Sequence, residues 1–148
     1  RFVGLISQSL GTRIYLDTNI IIYVVEGYDE YGHILLSLLD EMDSGAVTAV
    51  TSELTRAEVL VKPKQDHNNV LEHAYKTFLQ ARSMLEIVAI SENILEIAAE
   101  LRAETKLKLP DAIHIATAIV SDCNVLLTND RTMLSPAPCK VVLLSELG

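Results

Sequence analysis

Five short apolar runs, separated by stretches with helical periodicity, are the feature that most restricts how this chain can fold. The runs are predicted strands and span residues 14–16, 46–50, 86–90, 124–128 and 140–144. Short strands that alternate with helices are typical of a parallel sheet covered by helices on both faces. The sequence therefore predicts an α/β protein: a three-layer α/β/α sandwich with a central, mostly parallel five-stranded sheet.

Six helices are predicted between these strands. They cover approximately residues 18–26, 31–43, 53–61, 70–81, 92–106 and 111–121. Thr51 and Ser52 offer caps for the third helix, Pro63 is expected to break it, and residues 62–69 are expected to form a loop. The last helix is apolar on nearly all sides, which predicts a central, buried position. Pro136 and Pro138 are expected to keep the segment between the last two strands in a loop.

The length of 148 residues fits one domain, so we predict a single domain over residues 1–148. Residues 1–12 are an N-terminal arm that either packs on the domain or dangles. The two cysteines, Cys123 and Cys139, form neither a disulfide framework nor a metal motif. They are interpreted as reduced thiols of a cytoplasmic protein. No apolar stretch is long enough to span a membrane.

Four acidic residues fall where predicted strands and helices meet. Asp17 follows the first strand and Asp130 follows the fourth, while Glu58 and Asp111 lie in the first turns of two helices. The carboxyl ends of parallel strands share one sheet edge, where open α/β sheets place their sites. Carboxylates gathered there would repel one another unless divalent cations bound between them, and oxygen ligands suit Mg²⁺ or Mn²⁺. The pattern predicts a site for one or two such ions.

Each of these residues also has an ordinary structural explanation. Asp17 can cap the helix that follows it, and turn chemistry accounts for Asp130. The helix dipole favours Asp111, and Glu58 completes a capping-box pattern. Their joint placement on one predicted edge favours a functional site over four independent caps. His114, one turn after Asp111, is interpreted as a buried core residue with no role beyond support.

The net charge of −8 at pH 7 is awkward for a protein that binds nucleic acid, because phosphate contacts normally require Lys and Arg. Basic residues nevertheless accompany the acidic ones along the chain. Lys106 and Lys108 precede Asp111, and Arg131 directly follows Asp130. Bound cations would cancel further negative charge at the same edge. The charge distribution is therefore compatible with a nucleic-acid substrate.

The motifs around these residues resemble those of PIN-domain nucleases, in particular the toxins of type II VapBC-like toxin–antitoxin modules. The likeness runs from about residue 14 to residue 144. It rests on four segments: Asp17-Thr18-Asn19, Thr51-Ser52 with Glu58, residues 109–118, and Thr128-Asn129-Asp130. The helix opened by Leu109-Pro110-Asp111 and the Thr-Asn-Asp turn are the most specific of them.

The resemblance implies a metal-dependent endoribonuclease and assigns roles to six residues. The catalytic and metal-binding residues would be Asp17, Glu58, Asp111 and Asp130, and the polar supports would be Asn19 and Thr128. Arg131, which directly follows Asp130, is predicted as a further supporting or substrate-binding residue. A metal-activated water would attack the phosphodiester, so no Ser, Cys or His nucleophile is needed. The resemblance also implies an RNA substrate, a homodimer and a small antitoxin that obstructs the site.

One departure from the family pattern concerns the loop after the fourth strand. Family members often continue this motif with a second Asp and a Phe, where this chain has Thr132 and Met133. Asp130 itself is present, so the metal site is expected to survive. The contact of this loop with RNA is expected to differ.

Other interpretations stay open. The chain could be a solitary PIN-domain nuclease of RNA processing, or a catalytically inactive interaction domain that only an assay would distinguish. A haloacid-dehalogenase-like phosphatase also has an Asp after its first strand, but it requires a second Asp where this chain has Asn19. A phosphoacceptor receiver domain requires an Asp after a central strand and a Lys after the last one. This chain has Ser91 and Ser145 there.

Overall fold

The protein is built around one parallel sheet, as the alternation of strands and helices predicts. A computed structural model describes residues 4–81, 83–134 and 139–147. The strands are β1 (Arg13–Leu16), β2 (Thr48–Ser52), β3 (Leu85–Val88), β4 (Val125–Thr128) and β5 (Val141–Leu143). They form one five-stranded sheet in the order β3-β2-β1-β4-β5, with every neighbouring pair parallel. The three-layer α/β/α prediction is confirmed.

Helices connect the strands and cover both faces of the sheet. Their bounds are α1 (Leu5–Leu10), α2 (Thr18–Glu26), α3 (Gly32–Ser44), α4 (Leu54–Gln65), α5 (Asn69–Leu79), α6 (Glu92–Glu104) and α7 (Leu109–Val120). Short 3-10 turns occupy residues 29–31, 131–133 and 144–146. Among the described residues, none of the helices combines the length and the hydrophobicity that a membrane span requires.

Alternation along the strands divides the core into two layers, because successive side chains of a strand point to opposite faces. In β1, Ile14 and Leu16 pack with apolar residues of α1 to α5. Tyr15, between them, packs on the other face with α6 and α7. The seven consecutive residues 112–118 of α7 are all buried, so its predicted central position is confirmed.

Helix α4 differs from its prediction at Pro63. The helix continues to Gln65 with Pro63 inside it, so the predicted break and the predicted loop over residues 62–69 are wrong. An interior proline removes one backbone hydrogen bond, and its ring crowds the carbonyl one turn before it, so it usually kinks or ends a helix. The ring of Pro63 is buried, and the amide of Asp66 still donates to the carbonyl of Lys62 at 3.0 Å. Burial and the remaining backbone bonds thus offset the loss, and the loop is confined to residues 66–68.

Three further segments can be compared with the sequence expectations. The N-terminal arm packs on the domain: α1 buries Ile6 and Leu10, and their partners belong to the α1–α5 layer. Thr51 and Ser52 end β2 instead of lying outside the strand, although Ser52 Oγ still accepts the amide of Leu54 at 3.0 Å. The predicted loop around Pro136 and Pro138 lies outside the described residues.

Candidate active site

The candidate site lies where β1 and β4 end side by side. In the order β3-β2-β1-β4-β5, the chain leaves β1 in one direction towards β2 and β3, and β4 and β5 lie on the other side. The crevice at such a reversal point is where open α/β sheets bind ligands. Asp17 follows β1 there, and Thr128 is the last residue of β4.

Asp17 is a buried carboxylate held by three donors. Its side chain is 5% exposed, and it accepts bonds from the amide of Thr18 at 2.8 Å and from Thr128 Oγ1 at 2.7 Å. The side-chain nitrogen Nδ2 of Asn19 donates to the second carboxylate oxygen, Oδ2, at 3.2 Å. Asp17 is also the N-cap of α2, where the helix dipole favours a negative charge. The predicted capping role is thus real, but it involves one of the two carboxylate oxygens.

Asn19 and Thr128 tie the ends of β1 and β4 together. Asn19 Nδ2 donates to Thr128 Oγ1 at 3.0 Å, and Asn19 Oδ1 accepts the amide of Asn129 at 3.1 Å. Thr128 Oγ1 also accepts the amide of Asp130 at 3.1 Å. Both residues therefore support Asp17 and the turn that carries Asp130.

Asp130 is half-buried and caps the 3-10 turn after β4. Its Oδ1 accepts the amide of Thr132 at 2.9 Å and the hydroxyl of Thr132 at 2.7 Å. The residue that replaces the second acidic residue of the family pattern therefore fixes one oxygen of Asp130. Arg131 is exposed beside it, and it forms no ion pair with a described residue.

Helix α4 begins at Leu54, so Glu58 lies in its second turn and not in the first turn as predicted. Its Oε1 accepts two bonds of 2.7 Å, from Thr18 Oγ1 and from His114 Nε2. Burial raises the pKa of this carboxyl, but the bonds from His114 and Thr18 outweigh it, so the net pKa is lowered. Glu58 does not complete the capping box, since Thr55 Oγ1 instead contacts the hydroxyls of Thr51 and Thr18.

Asp111 differs from the other three because its carboxylate accepts no hydrogen bond from any described residue. It lies in the first turn of α7, half-buried. Burial raises its pKa, and the charges of Asp17 and Asp130 raise it further. The three carboxylates are thus close enough for their charges to interact. A cation would relieve this repulsion.

A cleft of about 530 Å³ opens next to Asp111. It is lined by Glu104, Thr105, Lys106, Leu107, Lys108, Asp111, Thr132 and Leu134. Lys106 and Lys108 are exposed and form no ion pair with the described part of the chain. The cleft therefore brings two free positive charges to the rim of an acidic site.

His114 is the residue whose importance sequence reasoning missed. It is 1% exposed, and its Nδ1 lies 2.6 Å from the hydroxyl of Tyr15. Its Nε2 lies 2.7 Å from Glu58 Oε1 and 3.8 Å from Asp17 Oδ1. The interpretation as a core residue is right about burial, but this side chain contacts the acidic residues directly. Its spacing of one helical turn from Asp111 was the available signal.

The donor chemistry of the site fits a divalent cation. Asp17, Glu58, Asp111 and Asp130 supply only oxygen, which suits Mg²⁺ or Mn²⁺. No Lys or Arg among residues 4–81, 83–134 and 139–147 pairs with any of the four. As placed, no three acidic, His or Cys side chains of these residues form a closed ligand set. A cation would therefore have to draw the carboxylates closer, which the unbonded Asp111 side chain permits.

Comparison with known proteins places this geometry in a family context. The model of the PIN domain family matches residues 14–137. Comparison with curated proteins gave no match. A solved toxin–antitoxin complex from Klebsiella pneumoniae is 31% identical, covering 88% of this chain and 97% of that chain with a TM-score of 0.67.

More distant solved structures share the fold. VapBC2 from Rickettsia felis, bound to a DNA fragment from its promoter, is 20% identical with a TM-score of 0.69, and the match covers 89% of this chain and 98% of that chain. PAE2754 from Pyrobaculum aerophilum is 16% identical with a TM-score of 0.64 and covers 99% of this chain and 95% of that chain. The resemblance predicted from the four sequence segments is confirmed.

Proposed function

The chain belongs to the PIN domain family, and from this premise we propose that it is a metal-dependent endoribonuclease that hydrolyses RNA phosphodiester bonds. PIN domains are nucleases and generally use divalent metal ions. The proposed catalytic and metal-binding residues are Asp17, Glu58, Asp111 and Asp130, with Mg²⁺ or Mn²⁺ as one or two bound ions. Asn19 and Thr128 would support the site, and Arg131 would contact substrate.

The observation that carries the proposal is the state of Asp111. Its carboxylate is half-buried and has no donor, and its pKa is raised by burial and by the neighbouring charges of Asp17 and Asp130. A buried carboxylate without a partner is costly, so a structural role alone does not account for it. Asp17 and Asp130 each accept hydrogen bonds from local donors, and the negative charges of both act on Asp111. A cation would satisfy all three.

The chain's own residues define the chemistry that such a site could perform. A divalent cation held there would lower the pKa of a bound water and stabilise the charge that develops on the phosphate. Asp17 would be the most rigid ligand, since three donors fix it. Thr132 orients Asp130 through two bonds to Oδ1, which leaves Oδ2 for the cation.

The substrate is proposed to reach this site along the cleft beside Asp111. Lys106 and Lys108 on its wall are free to contact phosphates, and Arg131 is exposed on the turn that carries Asp130. Thr132 contributes to the wall without adding a negative charge. These features offset locally the net charge of −8 that would repel a nucleic acid.

The biological setting is proposed to be a toxin–antitoxin module. This rests on the family, on the 31% identity to a chain from a solved toxin–antitoxin complex, and on coverage of 88% of this chain. The expected partners are a second copy of the chain and a small antitoxin that obstructs the site, and the expected location is the cytoplasm. The proposed domain spans residues 1–148. The family match disfavours the phosphatase and receiver interpretations.

The test is RNA cleavage by purified protein. Mixed tRNA and rRNA fragments are incubated with wild type in Mg²⁺ or Mn²⁺, with chelator as a control. We expect cleavage that chelator abolishes. Asp111→Asn should cleave RNA at least about 100-fold more slowly than wild type, because removal of a mere outer-shell partner of a metal ligand already lowers metal affinity or activity by about 10–100-fold.

Asp122→Asn is the matched control for this assay, since Asp122 is exposed and lies beyond the other end of α7 from Asp111. It should cleave RNA like wild type. Wild type and Asp111→Asn that leave RNA equally intact in both metals would contradict the nuclease proposal and favour an inactive interaction domain. Cleavage that persists in chelator would contradict the metal mechanism.

A further inference from the structure

A buried hydrogen-bonded chain links the core of the protein to one oxygen of Glu58. The hydroxyl of Tyr15 lies 2.6 Å from His114 Nδ1, and His114 Nε2 lies 2.7 Å from Glu58 Oε1. Tyr15 is 0% exposed and His114 is 1% exposed. Thr18 Oγ1 donates to the same Oε1 at 2.7 Å. Polar groups this deeply buried are retained at a cost unless all of them are bonded.

The protons of this chain can be assigned by counting donors. A phenol keeps its proton at neutral pH, so the hydroxyl of Tyr15, 2.6 Å from His114 Nδ1, can donate to that nitrogen. A neutral imidazole that accepts at Nδ1 must carry its proton on Nε2. That N–H points at Glu58 Oε1. Tyr15 therefore selects the tautomer in which His114 donates to the carboxylate.

These hydrogen bonds occupy one oxygen of Glu58, Oε1, and leave the other oxygen, Oε2, without a donor among the described residues. Oε1 accepts from both Thr18 and His114, whereas Oε2 accepts from no described residue. A carboxylate held by two donors on one oxygen has lost most of its rotational freedom. Oε2 is then the oxygen available to a cation or its water.

These two hydrogen bonds also join the three elements nearest to Asp17, Glu58 and Asp111. Tyr15 lies in β1 two residues before Asp17, and His114 lies in α7 three residues after Asp111. Glu58 lies in α4. A single path of two hydrogen bonds thus fixes α4 relative to both β1 and α7 at the edge of the site. Metal ligands are commonly oriented by such outer partners.

We infer that Tyr15 and His114 are positioning residues that hold Glu58 so that Oε2 alone is presented to the divalent cation. This inference rests on the proposed function, because it assumes that Glu58 is a ligand. It assigns a role to two residues outside the four carboxylates, and it predicts that the N–H donor of residue 114, not the imidazole as such, is what matters.

The test compares three variants of the full-length protein by calorimetric titration with Mn²⁺, without RNA. His114→Leu removes the donor and should weaken Mn²⁺ binding by about 10–100-fold. His114→Gln keeps an N–H donor and should remain within about threefold of wild type. Tyr15→Phe removes the donor to Nδ1, so either tautomer of His114 becomes accessible, and its Mn²⁺ affinity should lie between those of His114→Leu and His114→Gln. Thr117→Val is the matched control, since Thr117 is equally buried in α7 but bonds only to the carbonyl of Ile113.

A double variant separates positioning from a general loss of structure. If His114 acts through Glu58, His114→Leu should weaken Mn²⁺ binding little further in a Glu58→Gln background. Thermal unfolding identifies variants that fail to fold, and His114→Gln then carries the comparison. Nitrogen-15 NMR of the imidazole should show a protonated Nε2 and an unprotonated Nδ1 in wild type.

The outcomes distinguish this inference from the proposed function. Wild type that binds no Mn²⁺ overturns both. Wild type that binds Mn²⁺ while His114→Leu binds equally well overturns the positioning role and leaves the proposed function standing. Equal losses in His114→Gln and His114→Leu, or a proton on Nδ1, also overturn it.

Discussion

At the scale of single residues, the candidate site shows which carboxylates have an ordinary structural role and which has none. Asp17 and Asp130 each cap a helical element through one oxygen, as the sequence suggested. Asp111 was the sharpest expectation, because a carboxylate at the mouth of a buried helix requires a partner. The structure supplies no protein donor for it. Its surroundings therefore make the first prediction.

Asp111→Asn should stabilise the protein in chelator at neutral pH. The folded-state pKa of Asp111 lies above its ordinary value of 3.8, so ionisation opposes folding. The penalty is absent below the ordinary pKa and grows as pH rises through the raised folded-state pKa. The helix dipole favours the charge of Asp111 and offsets part of this penalty, so we expect a net gain below about 1 kcal/mol at pH 7 that shrinks towards pH 4.

Calorimetric or fluorescence melting of wild type and variant across this pH range checks the prediction. Asp122→Asn, exposed and distant from Asp111, should leave the change in melting temperature between pH 4 and pH 7 as it is in wild type. A variant that melts below wild type at pH 7 in chelator would contradict this prediction, because it would show that favourable interactions of the Asp111 charge outweigh the repulsion.

The sequence predicts the group of acidic residues, but it gives no sign that Tyr15 and His114 are linked by hydrogen bonds to Glu58. Each acidic residue lies near a predicted boundary between a strand and a helix, so it can be recognised as a candidate site residue from the sequence alone. Tyr15 and His114 lie inside apolar segments, where most polar residues are core residues with a satisfied bond. Only the pairing of β1 with the α7 face brings Tyr15 to His114, across 99 positions of sequence separation. No local pattern contains that contact.

At the scale of elements, periodicity predicted the strands and helices, and proline misled. Residues 86–90 and 140–144 were expected as strands, and the strands run over Leu85–Val88 and Val141–Leu143. Pro63 was expected to end α4, but tertiary burial overrides its low helix propensity there. The arm before β1 was the least predictable element, because its helix is capped from a distant part of the chain.

The capping of α1 by Glu41 predicts that α1 depends on this side chain to stay packed on the domain. The carboxylate of Glu41 in α3 is 5% exposed and accepts the amides of Ile6 at 2.8 Å and Ser7 at 2.9 Å. These are amides of the first turn, which have no partner within the helix. Glu41→Ala should cost about 1–3 kcal/mol and detach α1.

Hydrogen exchange of residues 5–10 and chemical denaturation measure this effect. Asp43→Ala is the matched control, because Asp43 is an exposed carboxylate one residue before the end of the same helix. Equal stability and equal protection of residues 5–10 in both variants would contradict a capping role for Glu41.

At the scale of the whole molecule, the sheet order places the site. Alternating strands and helices predicted a parallel sheet, but not that β1 would lie in the middle with β4 beside it. Strand order follows from which apolar faces pack together across the whole chain, so it is not encoded in any one segment. The reversal between β1 and β4 brings Asp17 and Thr128 within hydrogen-bond distance, at 2.7 Å.

The acidic site adds local negative charge to a molecule that is already negatively charged overall. With a net charge of −8, the chain would gain from any cation that it binds. Lys106 and Lys108 bring free positive charge to the cleft beside Asp111 but do not pair with its carboxylate. We propose that a divalent cation, and not a lysine, neutralises the acidic edge.

Electron paramagnetic resonance of Mn²⁺ titrated with the protein at pH 7 tests that claim most directly, because free and bound Mn²⁺ give distinct signals. Wild type and Asp122→Asn should bind one or two ions per chain, whereas Asp17→Asn and Asp111→Asn should weaken binding by at least about 100-fold. A signal of free Mn²⁺ throughout the wild-type titration, or binding by Asp111→Asn as tight as that of wild type, would contradict the account.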